Sequence, residues 1–191
     1  MTKPKIIIIP GNGGSHVDSD HWYASVAREL RDRGYEVVTE DMPDPVAAHE
    51  NIWLPHIENV FKADENTIII GHSSGGVAAL RYLENHKLFG AILAGVNYTD
   101  FGDEIEKVSG YYDSPWHWDR IKENAGWIVQ FASTDDPYIP ITEPRYIHDM
   151  LGTEYHELTD RGHFMIEHNP LNNTFPEIIQ IVESKSQLLT K

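Results

Sequence analysis

Hydrophobic residues in this chain fall in short solid runs separated by amphipathic stretches. Ile6–Ile9, Thr67–Ile70, Gly90–Gly95 and Trp127–Ala132 carry no charge over four to six residues each. Runs of that length, rich in β-branched residues, predict strands buried on both faces, as in a parallel sheet. Tyr35–Thr39 and Glu154–Leu158 read as further strands, giving six in all. Between them the period changes. Trp22, Val26 and Leu30 recur every four residues with Tyr23 and Ala27 beside them, after the N-cap residues Asp18-Ser-Asp20 and before Gly34 as a helix stop. A second helix is expected with Pro55 near its first turn and Ile57, Val60 and Phe61 facing the core. Val77–Glu84 reads as a third helix and Phe175–Leu189 as a closing amphipathic one. Strands alternating with helices predict a doubly wound parallel sheet with right-handed crossovers.

In such sheets chemistry collects at the carboxyl ends of the strands, and the loops there carry it here. Thr67–Ile70 runs into Gly71-His72-Ser73-Ser74-Gly75 and then directly into a helix. Strand, tight turn and helix around Gly-x-Ser-x-Gly is the context of a nucleophile elbow, with Ser73 raised above the sheet edge. The bare pattern is weak, and a small-residue turn is the bland alternative; the buried strand before it and the helix after it favour the elbow. The loop after the fifth strand contains Asp135 and Asp136, and the loop after the sixth contains Gly162-His163. Serine, aspartate and histidine in that order suit α/β-hydrolase chemistry: an imidazole takes the serine proton, and a carboxylate on its other nitrogen fixes the tautomer. Either aspartate could fill that role, although Pro137 biases Asp136 towards extended backbone. An oxyanion would be met by the N–H of Ser74, at a helix N-terminus, and by an N–H of Pro10-Gly-Asn-Gly-Gly14, for which Asn12 is the candidate and Gly13 the next.

Composition narrows the function classes. A chain of 191 residues with 40% hydrophobic and 24% charged residues suits one soluble globular domain spanning 1–191. Its net charge of −15 disfavours nucleic acid and anionic membrane surfaces as partners. With no cysteine there is no disulfide, thiolate metal site or cysteine nucleophile. Ile6–Ile9 is too short for a signal-peptide core or a membrane span, and cytoplasm is the expected location. The glycine loop after the first strand lacks both phosphate-binding patterns. His16, Asp18, Asp20 and His21 have no established ligand spacing, so neither a metal nor another cofactor is expected.

Pro10-Gly-Asn-Gly-Gly14, Asp41-Met-Pro-Asp-Pro45, Ile52-Trp-Leu-Pro55, Ile68-Ile-Ile-Gly-His-Ser-Ser-Gly75, Ser133-Thr-Asp-Asp-Pro137 and Gly162-His-Phe164 together resemble the retinoblastoma-binding protein nine family of small serine hydrolases. The resemblance runs over nearly the whole chain. It implies a compact α/β-hydrolase fold, with about six mostly parallel strands, helices on both faces and no large lid. It also implies a triad of Ser73, Asp136 and His163, favouring Asp136 over Asp135. The family is named for binding the retinoblastoma pocket through Leu-x-Cys-x-Glu. Here the corresponding region reads Phe61-Lys-Ala-Asp-Glu65, without a cysteine, and that interaction is not expected.

The reading is therefore a serine hydrolase acting on small-molecule esters or amides through an acyl-enzyme. The alternative is a non-catalytic interaction module on the same fold. His72, inside the elbow, is expected to line the substrate pocket. The aromatic-rich segment Asn97–Asn124, with Tyr98, Phe101, Tyr111, Tyr112, Trp116 and Trp118, is expected to lean over Ser73 as a small cap, with Tyr98 touching substrate. For most of these aromatics, simple packing of the segment onto the body is the expectation.

Overall fold

The computed structural model describes residues 3–187. Six parallel strands form one sheet in the order β2-β1-β3-β4-β5-β6. They are β1 (Lys5–Ile9), β2 (Val37–Val38), β3 (Thr67–His72), β4 (Gly90–Ala94), β5 (Ile128–Ser133) and β6 (Glu154–Leu158). The chain works outward from β1 to β2, then crosses back to β3 and runs on to β6, so the order reverses between β1 and β3. A crevice at such a switch point is where an open α/β sheet places its ligand.

Both sheet faces are covered, which explains the solid apolar runs. Ile7, Ile9 and Ile69 point into a core built with α2 (Glu50–Asn59), α3 (Ser74–Leu83), α5 (Trp118–Asn124) and α6 (Thr142–Leu151). Ile6, Ile8, Ile68 and Ile70 point the other way, against α1 (Tyr23–Asp32) and α7 (Pro176–Ser186). The fold is the expected α/β-hydrolase sheet, and the short α4 (Glu104–Val108) belongs to a modest cap rather than a large lid.

Several boundaries differ from expectation. The second strand is only two residues long: it is an edge strand paired with β1 alone, and Arg31 Nη2 donates to Val37 O within it and to Thr39 Oγ1 just beyond it. Pro55 lies inside α2 rather than at its start. It is tolerated because Pro55 and Asn51 are both exposed, so the Asn51 carbonyl that loses its helical partner faces solvent. Val60 falls just past the helix and is 52% exposed; Trp53, Ile57 and Phe61 fill the core instead. Helix α6 has no counterpart in the pattern reading. The expected closing helix ends at Ser186, and its last residues, Leu188 and Leu189, lie outside the described residues.

Candidate functional site

The β3–α3 junction is a strained elbow. Ser73 has φ 52° and ψ −125°, a conformation that costs a residue with a Cβ roughly 1–3 kcal/mol. Its N–H is held by Ala94 O of β4 at 2.9 Å. The flanking glycines are required by crowding: a Cβ on Gly71 would lie 2.5 Å from Gly75 O, and one on Gly75 would lie 2.3 Å from Ile9 O. The turn thus draws α3 tight against β1 and leaves Ser73 half-buried at the sheet edge.

The β6 loop brings His163 to the same place, and the β5 loop brings Asp136 beneath it. Asp136 Oδ2 lies 2.7 Å from His163 Nδ1, with both side chains more than nine-tenths buried. The other carboxylate oxygen, Oδ1, accepts the N–H groups of Tyr138 at 2.9 Å and Ile139 at 3.0 Å. A carboxylate can only accept, so the contact assigns the donor role to His163 Nδ1. Among the described residues no hydrogen bond joins Ser73 Oγ to His163; the two residues line one cavity. Asp135 is turned elsewhere. Its Oδ1 accepts the Ser133 hydroxyl and, at 3.2 Å, the Gly162 N–H, which pins the β6 loop to the end of β5. The Ser133 hydrogen bond holds the Asp135 carboxyl below its ordinary range, against a smaller opposing effect of burial.

His72 lines the cavity with its ring, but both of its nitrogens are committed inside the protein. His72 Nε2 lies 2.8 Å from the carbonyl of His163, which can only accept, so Nε2 donates. Nδ1 is therefore an acceptor, and the Tyr23 hydroxyl donates to it. That hydroxyl in turn accepts the Gly11 N–H at 3.4 Å. Burial, and then the neighbouring His163, hold His72 well below histidine's ordinary range, so it stays neutral. One buried chain of hydrogen bonds thus ties the β1 loop, through Tyr23 and His72, to the backbone of His163. Tyr23 read as an ordinary core residue in the helical pattern. The available signal was that a buried tyrosine hydroxyl needs a partner.

In the β1 loop, the Gly13 N–H is taken by Val46 O at 3.3 Å. Asn12 N–H and Ser74 N–H meet no acceptor among the described residues, and neither does Gly75 N–H in the same first turn of α3. The Asn12 side chain is anchored as well, donating to Glu106 Oε1 at 3.1 Å, while Tyr112 donates to Glu106 Oε2 at 3.0 Å. Glu106, in the cap segment, had no pattern in the sequence to mark it.

The cavity these residues enclose measures about 630 Å³. From the segment 97–124 it is lined by Asn97, Phe101, Asp103, Ile105 and Glu106. Tyr98 is not on its wall. It stacks on Tyr146, with ring centroids 4.1 Å apart, and lies edge-on to Trp118. The reason is a buried anchor: the Glu143 carboxylate accepts the N–H groups of Tyr98 at 2.9 Å and Thr99 at 3.0 Å, turning the Tyr98 ring towards α6. Trp116 is likewise held away, lying 3.7 Å from the Arg81 guanidinium. The His16 ring pairs with Asp41 at 2.7 Å, and the His16 backbone N–H donates to Asp20 Oδ2 at 2.8 Å. No helix among the described residues is long and apolar enough to cross a membrane.

Comparison with known proteins bears on the family and the fold. The sequence matches the serine hydrolase family over residues 6–183. It is 45% identical to the serine hydrolase RBBP9 of Rattus norvegicus over 186 residues, covering 96% of this chain and 97% of that one. It is 25% identical to the putative hydrolase YdeN of Bacillus subtilis over 169 residues, 86% of this chain and 87% of that one. The crystal structure of the B. subtilis ydeN gene product superposes with a TM-score of 0.83 at 22% identity, covering 96% of this chain and 98% of that one, a likeness of fold. An α/β-hydrolase sheet, a strained serine at its edge and a match along almost the whole chain converge: this protein is an enzyme of the serine hydrolase family.

Proposed function

We propose that the enzyme hydrolyses small esters or amides through an acyl-enzyme on Ser73. Ser73 Oγ attacks the substrate carbonyl as His163 Nε2 takes its proton. Asp136 stabilises the imidazolium, and the N–H groups of Asn12 and Ser74 receive the oxyanion. His163 then protonates the leaving group, and water, deprotonated by the same nitrogen, releases the acid. The observation that carries this reading is the Asp136–His163 contact of 2.7 Å, which holds from behind a histidine that lines the same cavity as Ser73. A volume of about 630 Å³ suits a small molecule. Asp103 and Glu106 on its wall disfavour an anionic substrate. A fluorophosphonate should add once to the intact protein, with the added mass on the peptide containing Ser73. Adduct on any other serine, or none, would overturn the assignment.

Tyr23 and His72 act in this reading as positioning residues, not as catalytic ones. Tyr23→Phe leaves the His72 Nδ1 acceptor and the Gly11 N–H without their buried partner. The expected loss is about 1–3 kcal/mol of unfolding free energy, read from urea denaturation. Since His163 is held through its backbone carbonyl, kcat should fall severalfold while KM changes little. An unchanged kcat in a variant of reduced stability would leave Tyr23 a purely structural residue.

A further inference from the structure

A second hollow of about 350 Å³ opens beside the Ser73 cavity and shares Asn12, Gly13 and Ile105 with it. Its apolar wall is made of Val46, Ala47, Ile105 and Val108, with Glu104 as the charged residue on it. Val46, Ile105 and Val108 are 64%, 60% and 57% exposed, so three large aliphatic side chains meet solvent in one place. A contiguous exposed apolar surface of this kind marks a binding site more often than a lone exposed leucine or valine does. The walls are also fixed in place. Gly13 and Gly14 donate to the carbonyls of Val46 and Pro45 at 3.3 and 3.0 Å, and Glu50 N–H donates to Ser109 O at 2.8 Å, just past α4.

We infer that this hollow is the acyl-chain subsite of the enzyme and takes an unbranched apolar acyl group. The inference rests on Ser73 as the nucleophile. Which half of an ester enters follows from proton transfer. The leaving group must sit against His163 Nε2, which protonates it, and that side of the cavity is walled by Pro137, Tyr138 and Met165. The acyl chain must leave the same carbonyl carbon in another direction. The hollow opens at Asn12 and Gly13, the loop that receives the oxyanion, and is lined by neither the β5 nor the β6 loop. The shared wall of Asn12, Gly13 and Ile105, at the rim of the Ser73 cavity, is what assigns it to substrate.

A fully buried methylene favours binding by about 0.8 kcal/mol, roughly fourfold, and an open groove should return about half of that, roughly twofold per methylene. Neutral p-nitrophenyl esters from acetyl to octanoyl should therefore rise in kcat/KM by roughly twofold per added methylene. Val46→Asp should bring the octanoyl-to-acetyl ratio close to one. Val60→Asp, exposed at the end of α2 and outside both cavities, should leave the series unchanged. In Ser73→Ala, where no turnover is needed, octanamide but not acetamide should shift the methyl NMR signals of Val46, Ile105 and Val108 saturably. If no ester is turned over yet octanamide moves those signals, the catalytic reading falls and the groove stands. The inference is overturned if octanamide leaves them unmoved, if Val46→Asp keeps the wild-type ratio, or if length dependence lies only in the alcohol of alkyl acetates.

Discussion

Ser73→Ala should lose turnover by on the order of 10⁶-fold while folding as well as the parent. Both halves of that expectation come from the elbow. Ser73 Oγ makes no hydrogen bond with another described residue, so its removal breaks no contact that supports the fold. Alanine has the same Cβ and meets the same strain at φ 52°. Ser73→Gly should be equally inactive and also more stable, by about 1 kcal/mol, because glycine occupies positive φ without steric cost. The pair separates chemistry from strain: two variants with matched loss of activity and different denaturation midpoints. Residual hydrolysis above about 1% in both, with normal circular dichroism, would place the nucleophile elsewhere and break the assignment.

The frame of this protein could be read from hydrophobic pattern because its sheet is buried on both faces. Ile6–Ile9 and Thr67–Ile70 have nothing to alternate with, so their uniform apolarity gave away their position. The places where the pattern misled share a physical cause. Val60 looked like a core residue because it follows the helical spacing of Ile57, but α2 ends one residue too early to keep it there. Tyr98 looked like a cap residue because it sits in an aromatic segment, yet a buried carboxylate forty-five positions away, on α6, sets its backbone direction. Local sequence cannot report a partner that distant.

The site divides along the same line. Strand-end loops carry Ser73, Asp136 and His163, and chain order with loop position pointed to Ser73, His163 and the Asp135-Asp136 pair, between which the family resemblance favoured Asp136. The supports beneath them were not legible. Tyr23 comes from α1, on the opposite side of the sheet from the cap, and reaches His72 through a hydrogen bond across 49 positions. Glu106 reaches Asn12 across 94. A residue that contributes only one or two polar atoms to a long-range hydrogen-bond chain leaves no periodic trace. Asp135 is the instructive intermediate: its sequence is as suitable as that of its neighbour, and only the Ser133 hydroxyl and the Gly162 N–H draw it away from His163.

The contrast between the two aspartates gives the second large expected effect. Asp136→Asn should lower kcat by up to about 10⁴-fold with the fold intact, and Asp135→Asn should cost less than about tenfold. Geometry fixes how the new amide must lie. Tyr138 and Ile139 both point N–H groups at the position of Asp136 Oδ1, at 2.9 and 3.0 Å, so the amide oxygen has to face them. Its NH₂ is then forced towards His163 Nδ1, now 2.7 Å from a donor instead of an acceptor. The imidazole can answer only by moving its proton to Nε2, which makes that nitrogen a donor towards Ser73 and removes the base. At Asp135 the amide oxygen can still accept from Ser133 and Gly162, and what is lost is charge in an exposed loop rather than a tautomer. Rates for both variants with one activated ester, alongside urea denaturation to establish that each is folded, decide the matter. A larger loss at Asp135 than at Asp136 would mean that the carboxylate supporting His163 in the working enzyme is not the one in contact with it here.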